Sequence, residues 1–193
     1  MRISGGSAKG RRIGFRKAFR KKEEGDDLRP TSAKVREALF DIIRNELPGS
    51  LFLDLYAGTG GVGIEALSRR AAKAVMVEAN KLRVRMIHQL LSEFNFTERA
   101  RVVNLRAYDF AEREGEKGRQ YDIIFLDPPY CSEELTKILP LIGHGKIIRE
   151  GGLVIAEHFF KTKLPEAAGK LKFVKDYKYG DTVLTVYKSS YDL

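Results

Sequence analysis

Strand-like and helix-like patterns alternate over most of this chain, and this alternation limits the folds it can adopt. Apolar runs typical of buried strands cover residues 51–55, 74–78, 100–105, 121–127 and 153–158. Amphipathic helical patterns lie between them, most clearly between residues 80 and 95. Because apolar strands separated by helices are buried on both faces, we predict an α/β fold with a doubly wound, mainly parallel sheet.

The two ends of the chain depart from this alternation. Strand-like runs at 171–177 and 182–188 are joined only by a turn, which predicts an antiparallel hairpin at one edge of a seven-stranded sheet. Residues 1–15 alternate apolar and basic positions around glycines and predict a small β-hairpin arm. We therefore expect a basic arm with a charged linker over residues 1–28. A single α/β domain, which would carry the catalytic residues, should follow over residues 29–193.

The positive charge of the chain belongs to that arm. The net charge is +9, and the first 22 residues contain nine basic side chains and no acidic one, which leaves 26 basic against 26 acidic residues in the rest of the chain. A basic cluster of this density can neutralise phosphates, so we expect it to bind nucleic acid, with a solubilising tail as the alternative. The predicted RNA contacts are Arg2, Lys9, Arg11, Arg12, Arg16 and Lys17, together with Arg29 and Arg36, which either contact phosphate or fix the arm onto the domain.

Other classes of protein are disfavoured by the composition. The chain has no run approaching the roughly 18 apolar residues of a membrane helix, so we expect a soluble, cytoplasmic protein. Cys131 is the only cysteine, which excludes an internal disulfide. His88 and His144 have no second ligand at metal spacing, so we expect no metal site. We also expect a monomer.

A glycine-rich turn follows the first strand and predicts a ligand site. Asp54 ends that strand, and glycines lead from it into a helix that begins near Val62. An acidic residue at the start of the turn would repel a pyrophosphate but suits an ammonium group, such as that of S-adenosylmethionine. The predicted cofactor contacts in the turn are Asp54, Tyr56, Ala57, Gly58, Thr59 and Gly60.

Two more acidic residues follow later strands. Glu78 ends the second strand, where a carboxylate can bind both hydroxyls of a ribose, although this position does not separate S-adenosylmethionine from NAD. Asp109 follows the third strand and either contacts the adenine or caps a helix.

The most specific motif is Asp127-Pro128-Pro129-Tyr130, directly after an apolar strand. Two consecutive prolines make the loop rigid and leave it rich in hydrogen-bond acceptors. The Asp127 carboxylate and the Pro128 carbonyl can accept both N–H bonds of an exocyclic amine while Tyr130 stacks on its ring. Such a loop can orient a weakly nucleophilic amine for methyl transfer, so we predict that these four residues are catalytic.

The sequence resembles the RsmD family of bacterial small-subunit rRNA guanine-N2 methyltransferases over nearly its whole length. The segments that carry the resemblance are MRISGGSAKGRRI, RPTSAKVREALFDII, DLYAGTGGVGIEALSRRA, the strand-end Glu78, FLDPPY and YGDTVLTVYK. The resemblance implies a class I, Rossmann-like methyltransferase fold, S-adenosylmethionine as methyl donor, and a guanine N2 amine of 16S-type rRNA as acceptor, within an assembled or assembling small subunit. Tyr56 and Thr59 stand where the family pattern has Phe and Ser.

Two other functions remain open from the sequence. The same chemistry could act on DNA adenine N6 or on a protein glutamine, although the chain has no separate DNA-recognition domain and has Asp rather than Asn before the prolines. Alternatively, the chain could be a non-catalytic RNA-binding assembly factor, which loss of a motif residue would support; all of them are present.

Overall fold

The computed structural model describes residues 2–13, 32–129 and 133–190. Five helices and eight strands lie in these ranges. The helices are α1 (Ala33–Ile42), α2 (Gly61–Ser68), α3 (Lys81–Glu93), α4 (Ala107–Glu116) and α5 (Glu134–His144). The strands are β1 (Leu51–Asp54), β2 (Lys73–Val77), β3 (Ala100–Val103), β4 (Tyr121–Leu126), β5 (Ile148–Phe159), β6 (Ala167–Ala168), β7 (Leu171–Tyr179) and β8 (Thr182–Ser189).

The strands form one mixed sheet in the order β3-β2-β1-β4-β5-β8-β7-β6. The first five pair in parallel, and β8, β7 and β6 pair antiparallel. The predicted doubly wound sheet with an antiparallel edge hairpin is therefore confirmed, but the strand count of seven was wrong. The eighth strand is β6, a two-residue strand that is too short to leave a periodic signal in the sequence.

Two apolar layers cover the two faces of the sheet. One layer contains side chains of α1, α2 and α3, including Leu39, Ile64 and Ile87. The other contains side chains of α4 and α5, including Phe110 and Ile138. Since both faces are covered, the parallel strands are apolar almost throughout, and this is why they were readable from the sequence.

The N-terminal segment packs onto the α1–α2 face of the sheet. Ile3, Ala8 and Ile13 are buried there. The predicted hairpin is reduced to a single antiparallel bridge between Arg2 and Arg12 around a short 3-10 turn at residues 6–8. These residues thus extend the core, while the boundary after residue 28 lies outside the described residues and stays a prediction.

Helix α1 begins at Ala33, directly after its N-cap residue Ser32. The hydroxyl of Ser32 accepts a hydrogen bond from the Val35 N–H at 3.2 Å and caps the helix. In the described part of the chain, no helix is long and apolar enough to cross a membrane.

Candidate active site

Four acidic residues lie at the carboxyl ends of four neighbouring strands. The register pairs Asp54 with Met76 and Phe125, and Leu126 with Ala156, so these strands end at the same edge. Side chains of successive strand residues alternate between the two apolar layers. By this alternation the α1–α3 face of the edge receives Glu78, Asp54, Asp127 and Glu157, in the order of their strands across the sheet.

Asp54 is the most buried of these carboxyl groups. It is 1% exposed, and neither of its oxygens has a hydrogen bond of normal geometry to a described residue. Burial raises the pKa of Asp54 to about 8, and the nearby charge of Asp127 adds to this, while the backbone N–H groups of Tyr56 and Gly63 oppose it. An unsatisfied buried carboxylate is costly, and an ammonium group placed beside it would satisfy it. The residues present therefore fit the amino group of S-adenosylmethionine.

The turn after β1 holds its shape through backbone bonds and glycine geometry. The Ala57 N–H donates to the Val77 carbonyl at 2.9 Å, which ties the turn to β2. Gly58 and Gly60 have φ of +52° and +76°, a region that favours glycine. A Cβ on Gly60 would also lie 2.9 Å from Ile87 of α3. Since Gly60 is also the N-cap of α2, the turn opens directly onto a helix N-terminus.

Glu78 is held at the start of α3. One carboxylate oxygen accepts the Asn80 N–H at 2.7 Å, and Arg83 lies 3.7 Å from the same oxygen. Asn80 caps α3 through its own side chain, and Asn104 donates to the carbonyls of Glu78 and Ala79. The other oxygen of Glu78 accepts no hydrogen bond from any described residue, which leaves it available to a ligand hydroxyl.

The loop after β4 lies beside the glycine turn. Asp127 is half-buried, Pro128 is buried and Pro129 is exposed, and Asp127 is close enough to Asp54 to raise its pKa. Tyr130 lies outside the described residues. Beyond it, Glu134 at the start of α5 accepts a hydrogen bond from the Tyr56 hydroxyl at 3.0 Å, so one side chain of the turn contacts the far end of the loop.

Asp109 lies in the first turn of α4 and is exposed. The helix follows β3, so Asp109 is at the same edge of the sheet as the other acidic residues. It does not cap the helix, because the N-cap is Arg106. The adenine contact stays a prediction.

The structure corrects the RNA role expected for Arg36. This side chain is 2% exposed, and its Nε donates to Glu65 at 2.7 Å. Its Nη2 donates to the Arg2 carbonyl at 2.7 Å, so Arg36 fixes the N-terminal segment, which is the other role that the sequence left open. A buried guanidinium cannot reach a phosphate.

The remaining basic candidates divide into two groups. Arg2, Lys9, Arg11 and Arg12 are exposed, although Arg11 donates to the Glu93 carbonyl at 2.6 Å and lies 4.2 Å from the Phe94 ring centroid. Arg16, Lys17 and Arg29 lie outside the described residues.

Several residues of the site were not found from the sequence. Glu65 is fully buried and accepts hydrogen bonds from Arg36, Arg69 and Ser4, which nothing in its helical pattern indicates. Asn80 could have been found as a capping residue directly before a helical pattern. Glu134 gave no signal, because only the tertiary fold places it beside Tyr56.

His158 is a structural residue here. Its side chain is buried, its Nε2 lies 2.7 Å from the Thr185 hydroxyl, and that hydroxyl donates to Asp176 at 2.6 Å. These contacts tie β5 to β8 and β7.

Comparison with known proteins agrees with this architecture. The chain matches the protein family described as conserved hypothetical protein 95 over residues 1–188. It is 34% identical over 188 residues to YlbH of Bacillus subtilis, covering 97% of this chain and 98% of that protein. It is 28% identical over 188 residues to the ribosomal RNA small subunit methyltransferase D of Escherichia coli K12, covering 97% and 89%.

The solved structure of yhhF from Escherichia coli superposes with a TM-score of 0.84 at 28% identity, covering 98% of each chain. The predicted class I methyltransferase fold is confirmed. The chain belongs to the family described as conserved hypothetical protein 95, and the resemblance to the RsmD family that its motifs indicate is confirmed.

Proposed function

We propose that this protein is an S-adenosylmethionine-dependent methyltransferase that modifies the exocyclic N2 amine of a guanine in small-subunit rRNA. The observation that carries the proposal is the buried, unsatisfied Asp54 carboxyl group beside Asp127 at the start of the glycine turn. The name of the Escherichia coli relative supports rRNA as the substrate. We further propose that the protein acts as a monomer in the cytoplasm, on an assembled or assembling small subunit.

Three groups of the chain would hold the cofactor. Asp54 would accept hydrogen bonds from the amino acid ammonium group, Glu78 from the ribose hydroxyls, and Asp109 from the adenine amine. The N–H groups at the start of α2 face the same turn. When bound, S-adenosylmethionine supplies a methyl group on a sulfonium centre, which is an electrophile for nitrogen.

The loop after β4 would prepare the amine. The lone pair of a guanine N2 amine is delocalised into the base, so the nitrogen is a poor nucleophile. The Asp127 carboxylate and the Pro128 carbonyl would accept its two N–H bonds, which favours the tetrahedral nitrogen of the transition state. A carboxylate oxygen of Asp127 would also accept the proton that the nitrogen loses. Because the prolines fix the loop, little reorganisation is needed when the base arrives.

The base itself must leave its stack to reach this edge. Tyr130 would provide an aromatic face for it, as the motif predicts. The prolines remove backbone donors that would otherwise compete with the base for Asp127.

The proposal is tested by incubating the purified protein with labelled S-adenosylmethionine and small ribosomal subunits from cells that lack this activity. We expect N2-methylguanine in the rRNA, identified by mass spectrometry of the nucleosides. Label appearing only on DNA or on a protein would keep the chemistry and replace the substrate. No transfer to any of these acceptors would contradict an enzymatic function.

A variant of the loop separates chemistry from binding. Asp127→Ala should abolish methyl transfer while the binding of S-adenosylmethionine, measured by calorimetry, stays within a few-fold. Cofactor binding should not weaken, because removing the Asp127 charge removes one cause of the raised pKa of Asp54. Equal loss of binding and turnover in a folded variant would show that the role of the loop is misassigned.

A further inference from the structure

An exposed aromatic residue flanked by lysines lies at the catalytic edge of the sheet, beyond the target loop. Phe160 directly follows β5 and is 40% exposed. The Lys178 and Lys161 ammonium groups lie 4.7 Å and 5.7 Å from its ring centroid. We name these three residues the lysine–phenylalanine surface.

The sheet register fixes where this surface lies. Leu126 pairs with Ala156, so Phe160 lies about 10 Å farther along the strand direction than Asp127 and one strand away. The Phe160 N–H donates to the Asp181 carbonyl at 2.9 Å, which ties the surface to the turn between β7 and β8. The surface therefore lies beyond the target loop at the same edge of the sheet and is not part of that loop.

The charges of the surface are available to a partner. Among the described residues, neither Lys161 nor Lys178 forms an ion pair, and both are exposed. Asp176, on the same strand as Lys178, accepts a hydrogen bond from the Thr185 hydroxyl at 2.6 Å. Lys175 and Tyr177 form a second contact between a lysine and an aromatic ring, with the Lys175 ammonium 5.0 Å from the Tyr177 ring centroid.

We propose that the lysine–phenylalanine surface binds single-stranded RNA beside the target nucleotide, with a neighbouring base stacked on Phe160 and phosphates on Lys161 and Lys178. Interleaved aromatic and basic side chains are the arrangement that binds unpaired nucleic acid, since every base has a face that can stack and every linkage carries a charge. The surface would hold the strand open while the target base enters the site. This proposal rests on RNA being the substrate of the proposed function.

The first experiment uses the absence of tryptophan from the chain. In a Phe160→Trp variant, the introduced indole is the only one, and a base stacked on it quenches its fluorescence. We expect saturable quenching of the indole fluorescence on adding a 20-nucleotide polyuridylate, which has no guanine to enter the catalytic site. The matched control is Phe173→Trp, at a ring that is 42% exposed and pairs with Tyr187, away from the catalytic edge. Equal quenching in both variants, or none in the first, would overturn the proposal.

The second experiment measures affinity for the same RNA by fluorescence anisotropy. Phe160→Leu should weaken binding about tenfold, because it removes one stacked base. Lys161→Glu with Lys178→Glu should lower the dependence of log affinity on log salt by about 1.4, since two phosphate contacts are lost. Phe173→Leu and Lys146→Glu, the latter at the opposite edge of the sheet, are the controls and should leave binding unchanged.

The outcomes distinguish this proposal from its alternatives. If the lysine variants weaken heparin and RNA binding equally and Phe160→Leu weakens neither, the surface recognises only charge and the stacking proposal is wrong. If the unchanged protein binds RNA through Phe160 but transfers no methyl group, the proposed function fails while the RNA surface stands.

Discussion

The Asp54 carboxyl group is buried beside a second carboxylate, so its proton equilibrium is coupled to folding. Its pKa is raised from 3.8 to about 8 by burial, with Asp127 adding to the effect. Between these two values the folded protein holds a proton that the unfolded chain has released. The free energy of unfolding contributed by this group therefore falls as the pH rises from about 4 to about 8.

Asp54→Asn should remove this pH dependence. The amide does not titrate, so urea unfolding at pH 5 and at pH 8 should show a smaller loss of stability in the variant than in the unchanged protein. The same loss in both proteins would mean that Asp54 is not the titrating group.

The same residue predicts how cofactor affinity varies with pH. An ammonium group beside Asp54 favours the charged carboxylate, so binding should release a proton and strengthen as the pH rises from 6 toward 8. Calorimetry with S-adenosylhomocysteine in two buffers of different ionisation enthalpy measures the proton release. Asp54→Asn should bind at least tenfold more weakly, because a charged hydrogen bond contributes about 1.5–3 kcal/mol, and should release no proton.

At the scale of elements, helix α2 connects the cofactor turn with the N-terminal segment. It begins at Gly61, and one turn later Glu65 forms ion pairs with Arg36 of α1 and with Arg69 at the end of α2. The Ser4 N–H and hydroxyl also donate to Glu65. A single buried carboxylate therefore joins three segments at a helix that is buried along its whole length.

Glu65→Gln should destabilise the protein strongly. Removing one partner of a buried ion pair costs about 3–5 kcal/mol, because the other charge stays buried. Hydrogen exchange at the Ile3 and Ala8 amides should accelerate together with the loss of stability. The control is Glu133→Gln, whose exposed pair with Lys137 at 3.6 Å should contribute nothing measurable. Equal effects of the two substitutions would contradict the network.

A second link between elements joins the glycine turn to α5. Tyr56→Phe removes the hydrogen bond to Glu134 and should lower kcat several-fold with little change in cofactor affinity, because the loop after β4 loses one of its supports. Glu134→Gln retains an acceptor oxygen and should keep most of the activity, whereas Glu134→Ala should resemble Tyr56→Phe. Additive losses in the double variant Tyr56→Phe with Glu134→Ala would show that the two residues act separately.

At the scale of the whole molecule, the net positive charge lies in the first 22 residues, and the rest of the chain is formally neutral. The exposed basic residues of the N-terminal segment lie on the α1–α2 face, and its apolar residues are part of the core. Deleting the segment would therefore damage the fold together with the charge. Substitution of exposed side chains is the cleaner test.

Lys9→Gln combined with Arg12→Gln should weaken RNA binding and leave the fold unchanged. If each residue neutralises one phosphate of single-stranded RNA, the slope of log affinity against log salt should fall by about 1.4. Anisotropy over a salt series measures the slope, and thermal unfolding checks the fold. An unchanged slope would mean that this part of the segment does not contact RNA.

The sequence by itself determined the layers of the molecule and the positions of the main motifs. Apolar runs identified the five parallel strands, because strands covered on both faces are apolar almost throughout. The exposed strand β7 was found instead from the turn that joins it to β8. Local rules placed Asp54, Glu78 and Asp127 at strand ends, since parallel strands end at one edge and turns there carry polar residues.

Only the tertiary structure decided which charges are free to bind a ligand. The sequence gives no reason to distinguish the charges of Arg36 and Lys9. In the structure, Arg36 is buried against Glu65, whereas Lys9 is exposed. The contact of Tyr56 with Glu134, and the contact of Phe160 with Lys178 of β7, likewise depend on segments far apart in the chain. Periodicity reports which face of an element is apolar, but the partner of a polar side chain is set by packing between elements, and no local pattern records that packing.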